Sequence, residues 1–208
     1  MENSCACPRG PRSAPVANSF KSHTAEPPVQ VTSKTSTRCF LACWPDQHLS
    51  HELKNLADRI REQSGGRVTP QQNIHITLAF LGDLIPTQLQ AVETCCPTLP
   101  DDFTLTLDRI GYWRNKGIIW AGARNSDPDF IDFIEGLRYV LRRTGFRIDR
   151  RAFVPHLTLL RKAYKRPRVA LESWNWRIGE YQLVASELSA EGSRYSTLKH
   201  WSIKGDVK

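Results

Sequence analysis

Residues 74–80 read Ile-His-Ile-Thr-Leu-Ala-Phe, and residues 154–160 read Val-Pro-His-Leu-Thr-Leu-Leu. Each segment places a histidine and a threonine two residues apart within an apolar run, a pattern typical of a β-strand. Residues i and i+2 of a strand point to the same face. The pattern therefore predicts that each histidine shares a face with its threonine: His75 with Thr77, and His156 with Thr158. It also predicts that the apolar residues of the first segment, as far as Phe80, point to the opposite face.

The two His–Thr pairs offer the groups that acid–base chemistry on a phosphate requires. An imidazole titrates near neutral pH, so one can accept a proton while the other donates one. A threonine hydroxyl can donate a hydrogen bond to an anionic oxygen. A single His-x-Thr in a strand often arises by chance, whereas two copies in matching apolar frames indicate a duplication. Two pairs facing each other across a groove would hold a phosphate between them.

Further segments carry a resemblance in the same order as the two motifs: residues 38–42, 73–82, 118–122, 145–146, 151–161 and 188–198. Together they resemble the 2H phosphoesterase superfamily, which is named for its paired His-x-Thr motifs. Within it they are similar to the RNA 2′,3′-cyclic phosphodiesterase family, historically called 2′-5′ RNA ligase. The resemblance covers about residues 37–204. It implies a two-lobed α+β fold, with a pseudo-symmetric pair of antiparallel sheets, helices packed outside and an active-site cleft between the lobes.

The resemblance also implies an activity, the hydrolysis of RNA 2′,3′-cyclic phosphate ends to 2′-phosphates. No metal and no other cofactor is expected, and reversible 2′-5′ RNA ligation is a related reaction of the family. The family's usual roles make His75 the proton donor and His156 the proton acceptor, although the residues alone leave the direction open. Thr77 and Thr158 would hold the non-bridging oxygens, on which negative charge sits throughout.

Two further residues match positions at which the family contacts its substrate. Arg161 follows His156 by five residues, so strict alternation places it on the opposite face. It reaches the site only if the strand ends or bulges near Leu160. Phe40 matches the aromatic residue of the family's first strand, which can stack on a base. A place in the core is an equal alternative for Phe40.

Two other classes of function are weighed against this one. A metal hydrolase needs several converging ligands, and two histidines without an added Asp, Glu or Cys make a poor zinc site. A non-catalytic RNA-binding or nucleotide-binding module of the same fold is the second alternative. The two intact His–Thr pairs argue against such a module.

The composition predicts one globular domain preceded by an extension. The chain has 208 residues, of which 40% are hydrophobic, enough for a sizeable core. Residues 1–36 are rich in Pro, Ser, Thr and Ala, so we expect a disordered extension, or a misassigned start codon, before a phosphoesterase domain at residues 37–208. Neither a signal peptide nor a membrane-spanning run is evident. We therefore expect a cytoplasmic monomer with no membrane contact and reduced cysteines.

The net charge of +8 predicts a polyanionic partner. Residues 138–168 contain eleven Lys and Arg and a single acid, Asp149, and they flank His156 on both sides. For Arg138 and Arg142 we favour an exposed helix face. The others favour contact with a phosphate backbone. The expected partner is RNA with a 2′,3′-cyclic phosphate end, with tRNA fragments among the candidates.

The hydrophobic pattern predicts the order of the elements. Strands are expected at residues 38–43, 73–81, 103–112, 118–123, 154–160, 178–189 and 197–203. Helices are expected at residues 47–63, from a capping box at Thr87 and Gln90 to about residue 96, and from an N-cap at Asp127 to about residue 145.

Overall fold

The structure is a computed structural model. It describes residues 36–169, 172–189 and 192–203, all of which lie in one unit, Lys34–Lys208. The predicted N-terminal extension falls outside the described residues except for Ser36. Within the described residues, no helix combines the length and apolar character needed to cross a membrane.

Three helices and ten strands make up the described chain. The helices are α1 (Gln47–Ser64), α2 (Pro86–Cys95) and α3 (Pro128–Arg143). The strands are β1 (Thr37–Cys43), β2 (Arg67–Val68), β3 (Ile76–Leu84), β4 (Phe103–Leu107), β5 (Arg109–Trp113), β6 (Ile118–Gly122), β7 (His156–Arg161), β8 (Trp174–Ile178), β9 (Glu180–Ser189) and β10 (Gly192–Ser202).

The strands form two antiparallel sheets. The larger follows the order β10-β9-β1-β3-β7-β6-β5, with β2 paired to β7, and the smaller joins β4 to β8. The larger sheet narrows in its middle, because β3 and β7 pair at Ile76 and Leu157 alone. One motif strand therefore belongs to each side of this junction. The expected α+β fold of antiparallel sheets is confirmed.

The helices supply the core behind the motif strands. Asp46 caps the start of helix α1, because its carboxylate accepts the Leu49 N–H at 2.7 Å. The helix contacts β2 and β7. Helix α3 has the predicted N-cap, Asp127, and contacts β3. Each of these two helices has an apolar stripe along one face, and the residues of both stripes are buried: Leu49, Leu53, Leu56, Ile60, Phe130, Ile134, Leu137 and Leu141. Burial of these stripes against the sheet is the main stabilising term.

The single strand predicted at residues 103–112 is wrong. The strand is interrupted at Asp108, whose carboxylate accepts the Arg124 N–H at 2.7 Å. Residues before it form β4 in the smaller sheet, and residues after it form β5 beside β6. Apolar and polar residues alternate through both strands, so the sequence pattern could not reveal that the chain passes from one sheet to the other. Strand β8, the partner of β4, was also missed.

The first motif strand and the helix after it have different ends from those predicted. Residues Gln71–Asn73 form a 3₁₀ turn, so β3 starts at Ile76. The strand continues through Gly82, where φ is 80°, to Leu84, three residues beyond the predicted end at residue 81. Helix α2 starts at Pro86, and the Gln88 side chain accepts the Ile85 N–H at 3.0 Å. The capping box predicted at Thr87 and Gln90 is therefore displaced.

Candidate active site

His75 lies immediately before β3, with both ring nitrogens engaged. Its Nδ1 is 2.9 Å from the Asn73 carbonyl oxygen, and its Nε2 is 3.0 Å from the Thr77 Oγ1. A carbonyl oxygen only accepts hydrogen bonds, so Nδ1 carries the proton of the neutral ring. Nε2 is then the nitrogen that exchanges a proton, and the Thr77 hydroxyl donates to it when the ring is neutral.

His156 opens β7 and is held in the same way. Its Nδ1 is 2.8 Å from the carbonyl oxygen of Val154, two residues earlier. The same argument assigns the proton to Nδ1 and leaves Nε2 to receive or give a proton. The duplication thus extends beyond the motif to the backbone carbonyl that fixes each tautomer.

The register brings the two His–Thr pairs to one place. Strands β3 and β7 are antiparallel and pair at Ile76 and Leu157. Moving one residue along each strand from this pair therefore leads to His75 and Thr158 on one side, and to Thr77 and His156 on the other. All four side chains are partly buried, which suits a cleft that a ligand can enter.

Aromatic side chains pack around each imidazole. The rings of Phe40 and Trp44 stack on His75 with centroids 5.2 and 4.8 Å away, and Tyr195 meets it edge-on at 5.4 Å. Around His156, the rings of Trp113 and Trp120 lie edge-on at 4.6 and 6.2 Å. These rings restrict the orientation of both imidazoles and exclude water from them. Sequence reasoning assigned no site role to Trp44, Trp113, Trp120 or Tyr195.

Burial lowers the pKa values of both histidines. The pKa of His75 falls from 6.5 to about 4, mainly through burial, and the charges of Arg161 and His156 also lower it against the opposing hydrogen bond to Asn73. The pKa of His156 is lowered by burial first, and then by the charges of Arg161 and Lys116. Both imidazoles are therefore largely neutral at pH 7 in the free protein.

Arg161 reaches the histidine face through a β-bulge. Thr158 pairs with Trp120 and Leu160 pairs with Ile119, so Leu159 is an extra residue in β7. The extra residue reverses the alternation. As a result Leu159 and Leu160 are both fully buried, and Arg161 is exposed. Its charge acts on both histidines, which agrees with a place at the cleft.

The sequence of this chain is similar to those of known phosphoesterases. Residues 44–120 match the family model described as LigT-like phosphoesterase. An RNA 2′,3′-cyclic phosphodiesterase of Escherichia coli K12 is 33% identical over 141 residues, which cover 66% of this chain and 80% of the bacterial protein. The chain belongs to the LigT-like phosphoesterase family.

Other relatives extend the match across more of this phosphoesterase. An RNA 2′,3′-cyclic phosphodiesterase of Thermus thermophilus is 29% identical over 182 residues, covering 81% of this chain and 91% of its own. The crystal structure of E. coli LigT complexed with 3′-AMP has a TM-score of 0.75 and 28% identity, covering 81% of this chain and 99% of LigT. The recognised family and its fold are confirmed.

The LigT-like phosphoesterase packs Phe40 into an apolar cluster beside the site. Phe40 is 4% exposed, and its ring meets those of Trp44, His75, Phe80 and Tyr195. Phe80 is 68% exposed, although it was expected on the core face. The suggested base contact of Phe40 stays a prediction, and the ring of this cluster that is open to a ligand belongs to Phe80.

The basic residues near His156 separate into structural and exposed groups. Arg138 was expected on an exposed face, but it is 4% exposed and donates to Glu135 and to the carbonyl oxygens of Asp149 and Arg151. Arg151 forms an ion pair with Asp149. Arg147 and Arg150 are exposed before β7, and a second exposed group lies at its end and beyond it: Arg161, Lys162, Lys165, Arg166 and Arg168.

No group of three or more His, Cys, Asp or Glu side chains among the described residues is arranged to hold a metal ion. Cys39, Cys43, Cys95 and Cys96 are free thiols. Burial raises the pKa of Cys39 to about 11, and it raises the pKa of Cys43 as well. The protonated thiols of Cys39 and Cys43 are poor nucleophiles, so we assign these two residues to the core.

Proposed function

We propose that this phosphoesterase hydrolyses the 2′,3′-cyclic phosphate at an RNA end to a 2′-phosphate by two-histidine acid–base catalysis. The observation that carries the proposal is the convergence of two His–Thr pairs, each with Nδ1 anchored on a backbone carbonyl. Both Nε2 atoms are thereby left to transfer protons. The relatives named RNA 2′,3′-cyclic phosphodiesterase support the choice of substrate.

The reaction follows from in-line displacement at phosphorus. His156 Nε2 takes a proton from water as the water oxygen bonds to phosphorus. The bond from phosphorus to the ribose O3′ breaks, and His75 Nε2 gives its proton to O3′, since an alkoxide is a poor leaving group. Thr77 and Thr158 donate hydrogen bonds to the non-bridging oxygens, and Arg161 offsets their negative charge.

The substrate itself supplies the protonation state that this assignment needs. His156 is neutral at pH 7, which suits a base, but a donor at position 75 must carry a proton. Its pKa of about 4 applies to the free protein. A bound anionic phosphodiester favours the imidazolium and raises that pKa. The lowered pKa of His75 is also compatible with His75 as the proton acceptor and His156 as the proton donor, since the two His–Thr pairs are copies of the same motif.

Ligation uses the same site with a different nucleophile. If the 5′-hydroxyl of a second RNA replaces water, His156 takes its proton, O3′ leaves with the proton of His75, and a 2′-5′ linkage forms. Cleavage of that linkage back to the cyclic phosphate uses the histidines in exchanged roles. We propose hydrolysis as the main outcome, because water is far more concentrated than any RNA end.

The test is incubation with an oligonucleotide that ends in a 2′,3′-cyclic phosphate. We expect a 2′-phosphate product, undiminished after dialysis against a chelator. His75→Ala and His156→Ala should each lower kcat by about 10²-fold or more. Thermal melting of both variants shows whether they stay folded. A 5′-hydroxyl RNA added in parallel measures ligation.

Three results contradict the proposal. A 3′-phosphate product would mean that the other ester bond breaks. Near-full turnover by either folded variant would exclude the two-histidine mechanism. Binding of the oligonucleotide without turnover would instead identify a non-catalytic RNA-binding module.

A further inference from the structure

The segment that follows β7 is fixed to its surroundings by hydrogen bonds. The buried Ala163 donates its N–H to the Gly117 carbonyl oxygen at 2.9 Å, and its own carbonyl oxygen accepts the Tyr112 hydroxyl at 3.2 Å. The Tyr164 N–H donates to the Ser64 carbonyl oxygen at 3.1 Å. These bonds join the segment to the end of α1 and to the β5–β6 hairpin, so Tyr164 has a defined position although it lies outside a strand.

The Tyr164 ring lies against main chain and is otherwise open to solvent. A Cβ at Gly65 would lie 2.1 Å from a ring carbon, so the ring rests directly on the glycine backbone. Tyr164 is nevertheless 76% exposed. Single exposed apolar groups are common on protein surfaces, so the surroundings of this ring decide whether it has a role.

Cations surround the Tyr164 ring. The ring lines a cavity of about 700 Å³. Among the described residues that line this cavity, the charged ones are all cations: Arg114, Lys165, Arg166 and Arg168. A positively charged groove that contains an aromatic ring is the arrangement by which proteins bind single-stranded nucleic acid, because the cations follow the phosphates while the ring stacks on a base.

A 3₁₀ turn between β5 and β6 connects this cavity with the His–Thr pairs. Arg114, at the start of the turn, lines the cavity. Lys116, at its end, lies over the Trp113 ring at 5.8 Å, and Trp113 meets His156 edge-on at 4.6 Å. Besides burial, the charges of Arg161 and Lys116 lower the pKa of His156, which agrees with a place for both cations beside the site. Positive charge therefore leads from the site to the cavity.

We propose that Tyr164 is a stacking platform for an unpaired base of the RNA strand several nucleotides upstream of the cyclic phosphate. The inference rests on the proposed function, which places the reactive end between the His–Thr pairs. Tyr164 follows His156 by eight residues, which span at most about 28 Å. A stacked strand rises about 3.4 Å per nucleotide, so roughly eight nucleotides reach from the site to the ring.

The platform predicts that affinity depends on the length and the pairing of the RNA. A cyclic mononucleotide cannot reach Tyr164, whereas an octanucleotide can, so the octanucleotide should have the lower KM. A complementary strand that pairs the upstream bases should remove this advantage, because paired bases are already stacked within the duplex. Tyr164 does not touch the reacting atoms, so its loss should change KM for the octanucleotide more than kcat.

The test measures the Kd of two octanucleotides that end in a 2′-phosphate, so that no turnover is needed. One carries all its bases, and the other has abasic nucleotides at every position except the last. We expect Tyr164→Ala to raise Kd for the first strand about tenfold or more and to leave Kd for the abasic strand unchanged. Tyr164→Trp should retain tight binding. Tyr139→Ala, which removes an exposed ring on α3, is the matched control and should change neither value.

Turnover and binding separate the platform from the proposed function. Failure of the wild type to hydrolyse 2′,3′-cyclic AMP would overturn the proposed function, whereas the Kd comparison does not depend on hydrolysis. Unchanged binding of the base-containing strand by Tyr164→Ala would overturn the platform. An equal loss on the abasic strand would also overturn it, because the ring would then support the cationic segment and not a base. Equal affinity of the wild type for both strands would identify a surface that binds phosphates alone.

Discussion

At the scale of single residues, burial and one neighbouring cation determine the pKa values of the two histidines. Burial lowers both pKa values from 6.5, to about 4 for His75, and Arg161 acts on both. In the proposed mechanism the active form carries one proton on the pair, so kcat/KM should follow a bell-shaped curve centred between the two apparent pKa values of the free enzyme. Because both are lowered, we expect the maximum below pH 6.5 for a cyclic nucleotide.

Neutralising Arg161 tests the cause of this acidic maximum. A nearby positive charge disfavours the imidazolium, so Arg161→Gln should raise both pKa values and move the maximum to higher pH. Any loss of rate from weaker phosphate binding is a separate effect. Lys162→Gln removes an adjacent exposed charge that acts on neither histidine, and it should leave the maximum in place. A wild-type maximum above pH 6.5, or an unmoved maximum in the Arg161 variant, would contradict the argument.

Arg161 also shows what a sequence can and cannot reveal about the site. The His–Thr pairs follow from a spacing of two in a strand, and the structure places those pairs together. The face of Arg161 depends on one unpaired residue, Leu159, which is apolar like its neighbours. No side-chain pattern reveals such a bulge, because it is defined by pairing with β6. Phe80 was placed on the wrong face for the same reason, because Leu78 is an extra residue of β3 between the pairs that Thr77 and Ala79 form with β1.

At the scale of elements, strand β6 supports β7 through Trp120. Trp120 pairs with Thr158 on one side and with Gly111 of β5 on the other. A Cβ at Gly111 would lie 2.0 Å from the Trp120 ring, so glycine is required there for a close approach. The ring is 5% exposed and lies beside His156. The second half of the site therefore depends on a glycine two strands away.

Gly111→Ala should displace this ring. We expect a loss of about 1–3 kcal/mol in the free energy of unfolding from overpacking, and a fall in kcat/KM, because His156 loses a packing partner. Thermal melting and steady-state kinetics measure the two effects. Gly136→Ala is the matched control, since Gly136 lies in α3 with nothing near its added Cβ. It should stabilise the protein by about 1 kcal/mol. An unchanged melting temperature for Gly111→Ala would contradict the packing argument.

The helices and strands differ in how far their structure is determined by residues within the same segment. Helices α1 and α3 were predicted closely, because their caps and apolar stripes lie within each segment. The division between β4 and β5 was missed, because it arises from Asp108 bonding to Arg124 across sixteen positions. The narrow pairing of β3 with β7, which brings the two His–Thr pairs together, involves strands from the two halves of the sequence. Such pairings leave no trace in local periodicity.

At the scale of the whole molecule, the second half carries a continuous basic surface beside β5. Two adjoining cavities of about 630 and 700 Å³ share the segment 166–168. Their charged lining residues are Arg109, Arg114, Arg124, Lys165, Arg166, Arg168 and one acid, Asp108. Asp108 is paired with Arg124, so the remaining charge is positive. Surfaces of this kind attract the phosphates of a nucleic-acid backbone.

Removing part of this charge gives a prediction about RNA beyond its reactive end. The triple variant Lys165→Ser, Arg166→Ser, Arg168→Ser should bind a cyclic-phosphate oligonucleotide more weakly. It should also flatten the dependence of log K on log salt by about 0.7 for each lost phosphate contact. A 2′,3′-cyclic mononucleotide has no further backbone phosphates to place on this surface, so its KM should change little. The matched control, Arg59→Ser, Arg61→Ser, Arg143→Ser, removes the same charge from exposed positions on α1 and α3. Equal effects of both triple variants would assign the salt dependence to net charge, and equal harm to both substrates would place these residues in the fold instead of an RNA groove.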